Sequence, residues 1–291
     1  MAAASDSLTP VVLELGGKDP MVLCDDADFS QSCNVAMRGF FQNCGQNCIG
    51  LERLVVQAPI YDRVVDELTK RVRALRQVRC RASPRVAGPT QAQQRAHSDR
   101  CSCGVGATGQ GAPLEEEVDV GAMTMPNAWV KLEDLVKDAV AKGARLLAGG
   151  KRLEHPTWTH GFYFAPTVLA DVTPDMKIAQ EEVFGPVVVI MRFTTDEEAL
   201  HIVNSAPYGL GASVFSSNAE RAERLVRGIR SGMCNVNDFA VNYLCQSLPF
   251  GGVKISGFDR FAGPEGLRGN CLVRVRHART LAGMGGASTA A

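Results

Sequence analysis

Two cysteines lie close together in the stretch GFFQNCGQNCIGLERLVV, residues 39–56. Cys44 and Cys48 stand among Gly, Gln and Asn residues, directly before an apolar run that predicts a strand. Gly45 and Gly50 would let other groups approach the Cys48 sulfur, and backbone N–H groups in such a loop can stabilise a thiolate or an oxyanion. A free cysteine is also often a small buried hydrophobe, so the residues alone leave packing open beside nucleophilic catalysis.

A carboxylate, Glu14, occurs near the end of a second apolar segment, PVVLELGG, residues 10–17. Such a carboxylate is costly to bury unless it is paired or near solvent, and it could act as a general base. A cysteine nucleophile and a glutamate base together would allow covalent acyl chemistry. Residue spacing alone does not make Glu14 and Cys48 neighbours, so a buried strand carboxylate and a core thiol remain the alternative.

Composition and charge narrow the class of protein that could hold these two residues. The chain has 291 residues, of which 45% are hydrophobic, and its 31 basic and 31 acidic side chains give no net charge. Nucleic acid or an anionic membrane is therefore not expected as the main partner, since both favour a basic surface. No apolar run approaches the roughly 18 to 20 residues that span a bilayer. The first residues, MAAASDSLTP, do not have the pattern of a signal peptide.

The ten cysteines are expected to be reduced thiols, because a chain of this length without a signal is not a small disulfide scaffold. Cys101 and Cys103 lie near His97, but this spacing is a weak metal pattern, and no metal site is predicted.

Short apolar strands alternate with amphipathic helices along most of the chain, which predicts an α/β fold with an open mixed sheet layered by helices. Residues 11–15 are expected to form a strand buried on both faces, and residues 29–41 a helix that begins after acidic residues. Lys18, after the Gly-Gly pair, is interpreted as a surface or structural residue. Residues 79–117 are poor in large apolar side chains and predict a disordered insertion, and residues 281–291 a disordered tail.

Five motifs, in order along the chain, resemble those of the aldehyde dehydrogenase superfamily. They are LELGGKDP (13–20), FQNCGQNCIG (41–50), EEVFGPVV (181–188), YGLGASVFS (208–216) and LPFGGVKISGF (248–258). The segment NDFAVNYLCQSLPFGG is similar to a plant and algal branch of that family. The resemblance covers nearly the whole chain apart from 79–117 and the tail.

The resemblance implies a role for five residues. Cys48 matches the family nucleophile and Glu14 the general base. Glu182 matches the residue that holds the nicotinamide ribose hydroxyls of NAD or NADP, and Phe184 a residue that lines the nicotinamide side. Phe250 matches a wall of the aldehyde pocket. Plain core packing remains the alternative for both phenylalanines, and it is the preferred interpretation of Cys44.

The resemblance also implies a division of the chain. Family members carry several hundred residues before the glutamate motif, including most of a Rossmann-like cofactor domain, so this chain is expected to correspond to the C-terminal catalytic half, with that domain largely missing. The expected parts are a remnant of the cofactor domain (1–15), the catalytic domain (16–250), a segment returning to the cofactor or oligomerisation region (251–280) and the tail (281–291).

The expected function is NAD(P)-dependent oxidation of an aldehyde to a carboxylic acid through a cysteine thiohemiacetal and thioester. Two alternatives stay open. A cofactor-independent thiol esterase or acyl transferase would need only Cys48 and Glu14. A non-catalytic remnant would instead pair with full-length subunits. The family's C-terminal pairing strand is recognisable only as NCLVRVRHA, which leaves a homo-oligomer open, and the sequence names neither the aldehyde nor the compartment.

Overall fold

A computed structural model describes residues 1–76, 118–153 and 161–276. The predicted disordered insertion and tail, and the Cys101–Cys103 pair, lie outside the described residues.

A seven-stranded mixed sheet forms the centre of the molecule, as the alternation of strands and helices predicts. Its strands lie in the order β11-β10-β2-β3-β8-β7-β4, and all neighbours are parallel except the β4–β7 pair. Three further pairs are β1 with β13, β9 with β12 and β5 with β6. The strands are β1 (Leu13–Glu14), β2 (Asp19–Leu23), β3 (Leu51–Gln57), β4 (Arg145–Ala148), β5 (Arg152–Leu153), β6 (Tyr163–Phe164), β7 (Thr167–Ala170), β8 (Val187–Phe193), β9 (Tyr208–Gly209), β10 (Ser213–Phe215), β11 (Asn235–Val236), β12 (Val253–Lys254) and β13 (Gly257–Phe258).

Helices pack against this sheet and bury their apolar faces. In α3 the buried residues include Val64, Leu68 and Val72, which follow the helical period. The α-helices are α1 (Ala2–Ser5), α2 (Phe29–Phe41), α3 (Tyr61–Ala74), α4 (Ala128–Ala141), α5 (Lys177–Gln180), α6 (Asp196–Asn204), α7 (Ala219–Gly228), α8 (Val241–Leu244) and α9 (Gly263–Gly269), with short 3-10 turns at Gln42–Gly45 and Ala58–Ile60. None of the helices within the described ranges is both long and apolar enough to cross a bilayer.

The helix predicted over residues 29–41 is confirmed by α2. It begins after Asp28, whose carboxylate accepts a hydrogen bond from the N–H of Gln31 at 2.8 Å, which caps the helix. Strands β2, β3 and β8 are almost completely buried, as expected for parallel strands covered on both faces. The Cys48 loop lies between α2 and β3, and the Gly-Gly turn lies between β1 and β2.

The prediction of a strand buried on both faces over residues 11–15 is wrong. Only β1 is extended and paired, and its partner is β13 near the other end of the chain rather than the central sheet. Val12 is 43% exposed and Leu15 is 55% exposed, so this strand is not buried on both faces. Apolar composition predicts that a segment can be extended, but it does not specify how many neighbouring strands cover that segment.

Candidate active site

The Cys48 loop begins with a tight turn at the end of α2. Asn43 and Cys44 adopt left-handed backbone angles, with φ of 53° and 59°. Gly45 also has a positive φ of 70°, and a Cβ there would collide with the carbonyl oxygen of Gly185. Glycine is therefore required at this position, because the turn brings the loop directly against the EEVFGP segment.

The side chain of Gln46 fixes the loop through hydrogen bonds. Its side-chain oxygen accepts hydrogen bonds from the N–H and the hydroxyl of Thr124, at 2.7 and 2.8 Å. Its side-chain nitrogen donates to the carbonyl oxygens of Ala122 and Asn43, both at 3.2 Å. A buried amide with this many hydrogen-bond partners restricts the backbone that follows it. The hydrogen bonds of Gln46 therefore help to fix the position of Cys48, two residues further on.

The two loop cysteines have different environments. Cys44 is 2% exposed and belongs to the main hydrophobic core, where burial raises the pKa of its thiol to about 12. Cys48 is only half-buried and lies beside a smaller cluster that contains Phe250. The interpretation of Cys44 as a packing residue agrees with its environment, and Cys48 is the thiol that a small molecule could reach.

Glu14 and Cys48 lie side by side. Burial is the main cause that raises the pKa of Cys48 to about 12, and the next causes are the negative charge of Glu14 and the interaction of its carboxylate with the thiol proton. The Glu14 Oε1 atom is buried and has no hydrogen bond of ordinary length within the described structure. A carboxylate oxygen without a partner, next to a protonated thiol, is placed to accept a proton from a reacting group.

One backbone donor faces the Cys48 sulfur. The N–H of Ile49 lowers the pKa of Cys48, against the larger effect of burial, and this N–H also donates to Asn47 Oδ1 at 3.3 Å. The N–H of Gly50 closes the turn by donating to the carbonyl oxygen of Asn47 at 2.8 Å. The loop therefore presents a donor where negative charge would develop on sulfur or on an adjacent oxyanion.

Glu182 reaches the Gly-Gly turn that separates Glu14 from β2. Its Oε1 atom accepts a hydrogen bond from the N–H of Gly17 at 3.1 Å, and a Cβ at Gly16 would collide with the same carboxylate. Burial is the largest cause that raises the pKa of Glu182. The carboxylate is thus held at the turn that follows Glu14.

Phe184 is exposed and has a left-handed backbone, with φ of 51°, which is unusual for an aromatic residue. Glu52 stabilises this conformation. Its carboxylate accepts hydrogen bonds from the N–H of Val183 and the N–H of Phe184, both at 2.8 Å. A strained residue that a buried carboxylate holds in place is a frequent feature of functional sites.

Lys18 pairs with Glu52 across 2.6 Å, and its side chain has no exposed surface. The interpretation of Lys18 as a surface residue is therefore wrong, although a structural role agrees with this ion pair. Arg53 is buried as well and donates to the carbonyl oxygens of Lys18, Ile202 and Val203. Sequence reasoning missed Glu52 and Arg53, whose one signal was two adjacent charges inside the apolar strand LERLVVQ.

Phe250 lies close to the Cys48 loop. It is 2% exposed and packs in a small cluster with Ile49, Leu210 and Met233, and the Cys48 side chain packs against this cluster. The Phe250 ring also contacts two aromatic rings, with centroid distances of 5.7 Å to Tyr243 and 4.7 Å to Phe261. Phe250 is therefore both a core residue and a neighbour of the candidate nucleophile.

The structure brings four of the five expected residues into one region, and the fifth, Phe184, lies two residues beyond Glu182 and contacts Glu52 through its N–H. Glu14 and Phe250 both lie beside the Cys48 loop, while Glu182 reaches the adjoining Gly17. A family model for the aldehyde dehydrogenase family matches residues 1–100 and 99–275. The chain belongs to the aldehyde dehydrogenase family.

Curated relatives of this aldehyde dehydrogenase chain include enzymes that are longer than it. An aldehyde dehydrogenase-like protein of Saccharomyces cerevisiae, YHR039C, is 43% identical over 274 residues, covering 93% of this chain and 38% of the yeast protein. Succinate-semialdehyde dehydrogenase [NADP(+)] 1 of Mycobacterium tuberculosis is 33% identical, covering 94% of this chain and 51% of that enzyme. The chain therefore spans about half or less of the length of these relatives.

Solved structures agree with the family and the fold. Betaine aldehyde dehydrogenase of Staphylococcus aureus in complex with NAD+ superposes with a TM-score of 0.77 at 31% identity, covering 92% of this chain and 46% of that one. An NAD-dependent aldehyde dehydrogenase of Sinorhizobium meliloti gives a TM-score of 0.75 at 35% identity, with the same coverage. The expected α/β aldehyde dehydrogenase fold is confirmed.

Proposed function

We propose that this chain is the catalytic half of an NAD(P)-dependent aldehyde dehydrogenase, in which Cys48 is the nucleophile and Glu14 the general base. The observation that carries the proposal is the adjacency of Glu14 and Cys48 beside the cluster that contains Phe250. A thiol, an unpartnered carboxylate oxygen and an apolar wall are the parts that oxidation of an aldehyde through a thioester requires. The catalytic-half assignment and the plant and algal branch are part of this proposal.

In the first step, the Cys48 sulfur attacks the aldehyde carbon and the carbonyl π bond opens to an oxyanion. The thiol is protonated at neutral pH, because burial and Glu14 raise its pKa to about 12. It must therefore lose its proton as the S–C bond forms, and the neighbouring carboxylate is placed to receive it. The N–H of Ile49 faces the sulfur and favours the charged form.

Glu182 and Phe184 fit the nicotinamide end of the cofactor. The Oε1 atom of Glu182 accepts a hydrogen bond from the N–H of Gly17, and the absence of a side chain at Gly16 leaves room for the carboxylate beside the turn. Phe184 presents an exposed ring from a backbone that Glu52 fixes. These residues would hold the ribose hydroxyls and the nicotinamide ring. When bound, NAD(P)+ supplies a hydride acceptor, and its positively charged ring opposes the effect of Glu14 on the thiol.

Glu14 first passes the proton of the thiol to solvent, and in the second half-reaction the ionised carboxylate activates a water molecule. The water oxygen attacks the thioester carbon on Cys48, its proton passes to the carboxylate, and the C–S bond breaks to release the acid and restore the thiol. The carboxylate suits this role because its Oε1 atom is not occupied by another hydrogen bond within the described structure.

The proposed substrate is an aldehyde whose carbon chain packs against aromatic side chains. Phe250 and Tyr243 pack edge to face beside the nucleophile loop, which favours an apolar or flat chain over a highly charged one. Relatives that use NADP+ and NAD+ both occur among the comparisons, so the cofactor is proposed as NAD or NADP.

Substitution at Cys48, with a matched cysteine as control, tests the proposal. Cys48→Ala should abolish aldehyde-dependent reduction of NAD(P)+, whereas Cys44→Ala should retain it, because Cys44 is a core residue. Glu14→Gln should keep a burst of one reduced cofactor per site, at a lower rate, and then turn over more slowly still, because the half-buried thiol can also lose its proton to solvent whereas thioester hydrolysis depends on the base. A Cys48→Ala variant that still turns over aldehyde would disprove the assignment.

Hydrolysis of an activated ester separates the alternatives, because the Cys48–Glu14 pair is complete without the cofactor. If the chain cleaves p-nitrophenyl acetate through Cys48 but never reduces NAD(P)+, it is a thiol esterase rather than a dehydrogenase. If both reactions are absent and the chain binds a full-length relative, the non-catalytic alternative holds. Both reactions are measured on the same four proteins, namely the native chain and the Cys48, Cys44 and Glu14 variants, and the binding test adds a full-length relative.

A further inference from the structure

Asp19 is a buried acid that the proposed reaction does not use. It is the first residue of β2 and is 3% exposed. Its Oδ1 atom is buried without a hydrogen-bond partner within the described residues. An unpaired carboxylate at such depth is costly, so its protonation state and its neighbours need a physical explanation.

Two glycines make room for this side chain. A Cβ at Gly211 would collide with Asp19 Oδ2, and the N–H of Gly211 donates a hydrogen bond to the carboxyl group. The place that a Cβ of Gly17 would occupy is 2.5 Å from Asp19 Oδ1 and 2.8 Å from the carbonyl oxygen of Cys48. The unpartnered oxygen and the backbone oxygen of the candidate nucleophile therefore face the same small space.

Two oxygens that face each other repel if neither carries a proton. If Asp19 is ionised, its Oδ1 and the carbonyl oxygen of Cys48 are both acceptors, and the arrangement is unfavourable. If Asp19 is protonated on Oδ1, the O–H can donate toward that carbonyl, and the buried oxygen gains a partner. The geometry therefore favours the neutral acid.

We propose that Asp19 is a positioning residue for Cys48: as a neutral acid it donates toward the Cys48 carbonyl oxygen and holds the loop, and on ionisation its charge disfavours the thiolate. The inference rests on the proposed function only in treating Cys48 as the nucleophile. The effect of Asp19 on the thiol itself is independent of the reaction.

The charged neighbours of Asp19 do not offset its burial. Burial is the largest cause that raises the pKa of Asp19 to about 8, while the Gly211 N–H lowers it. Glu52 and Glu182 raise the pKa further, and Arg53 lowers it. Arg53 is already engaged by three backbone carbonyl oxygens, so it is not free to neutralise the carboxylate.

The influence of Asp19 extends to two thiols. Its charge raises the pKa of Cys48 and also that of Cys234, which lies before β11, although burial is the larger cause for both thiols. The charge of Glu14 also raises the pKa of Cys48, so ionised Asp19 would add a second negative charge to the environment of the nucleophile. Loss of the Asp19 proton should therefore lower the fraction of Cys48 that is present as the thiolate.

Alkylation of the full chain by iodoacetamide tests this effect without any substrate. Rates at Cys48 are followed by peptide mass spectrometry from about pH 6 to about pH 10, with exposed Cys271 as the internal control. In the native chain the logarithm of the Cys48 rate should rise with pH but show a shoulder near pH 8. In Asp19→Asn the shoulder should vanish, and Cys48 should react about three- to tenfold faster at about pH 9, whereas Cys271 should not change.

Hydrogen exchange tests the positioning part. Asn at position 19 keeps an N–H donor for the Cys48 carbonyl, whereas Asp19→Leu does not, so amides of residues 46–50 should exchange about tenfold faster in the Leu variant only. Exchange in α2 serves as the folding control. If the Leu variant does not fold, the native chain and Asp19→Asn are compared at about pH 7 and about pH 9: ionisation removes the donor in the native chain alone, so exchange of these amides relative to the Asn variant should rise between the two pH values, and an unchanged ratio would refute the positioning role.

Identical Cys48 pH profiles in the native chain and Asp19→Asn would overturn the inference, whatever the dehydrogenase activity. Conversely, a lost shoulder in a chain that never oxidises aldehydes would support the inference and refute the proposed function. The two ideas therefore fail separately.

Discussion

The buried ion pair between Lys18 and Glu52 offers a quantitative test of how the site is held. Glu52 receives three donors, namely the ammonium group of Lys18 and the N–H groups of Val183 and Phe184. Lys18 has one carboxylate partner, and burial is the main cause that lowers its pKa. We therefore expect the two partners to differ in how much stability is lost when each is replaced.

Glu52→Gln leaves Lys18 buried without a counter-charge and weakens two backbone hydrogen bonds. Removing one member of a buried pair typically costs about 3–5 kcal/mol, and this variant should lie in that range. Lys18→Met leaves Glu52 with both N–H donors, so it should cost only about 2 kcal/mol, the value of one charged hydrogen bond. The double variant removes both charges and should recover to within about 2 kcal/mol of the native chain.

Urea unfolding followed by circular dichroism at constant pH would measure these free energies, with the slope checked for two-state behaviour. Glu52→Gln is expected to be the least stable of the three variants, and Lys18→Met and the double variant should both lie closer to the native chain. If Lys18→Met costs as much as Glu52→Gln, then the N–H contacts to Val183 and Phe184 contribute little, and the reasoning fails. A double variant no more stable than Glu52→Gln would refute the role of the unpaired charge.

Two further predictions concern Asp19 and Phe250. Burial raises the pKa of Asp19 from 3.8 to about 8, so the stability that the protonated side chain contributes is fully present below about pH 4 and is lost as the pH rises toward 8. In that window, the free energy of unfolding of Asp19→Asn should increase relative to that of the native chain by up to about 1.4 kcal/mol per pH unit. An equal pH dependence of the two unfolding free energies would contradict this prediction. Phe250→Ala removes a ring that is 2% exposed and should cost about 3–5 kcal/mol in urea unfolding, whereas Phe250→Leu should cost less than half of that; similar losses would show that the pocket does not depend on the aromatic volume.

Much of the local structure was predictable from neighbouring residues. The helix over 29–41 was predicted because a cap residue and a helical period both occur within a few positions, and the structure reproduces its ends. The apolar run that follows Cys48 predicted a strand for the same reason, and β3 confirms it. The motif order predicted the family. By contrast, the strand predicted over residues 11–15 has only one paired neighbour, β13, because pairing depends on a segment far along the chain.

By itself, the amino-acid sequence of this protein determined which reactive groups are present and which elements carry them: a thiol at Cys48, a carboxylate at Glu14, and strands and helices with recognisable local signals. Only the tertiary structure decided that these two groups are neighbours, and that Lys18 and Asp19 are buried. The physical reason is range. Capping and periodicity depend on residues a turn apart, whereas burial, ion pairing and the pKa of a thiol depend on which distant elements pack against one another.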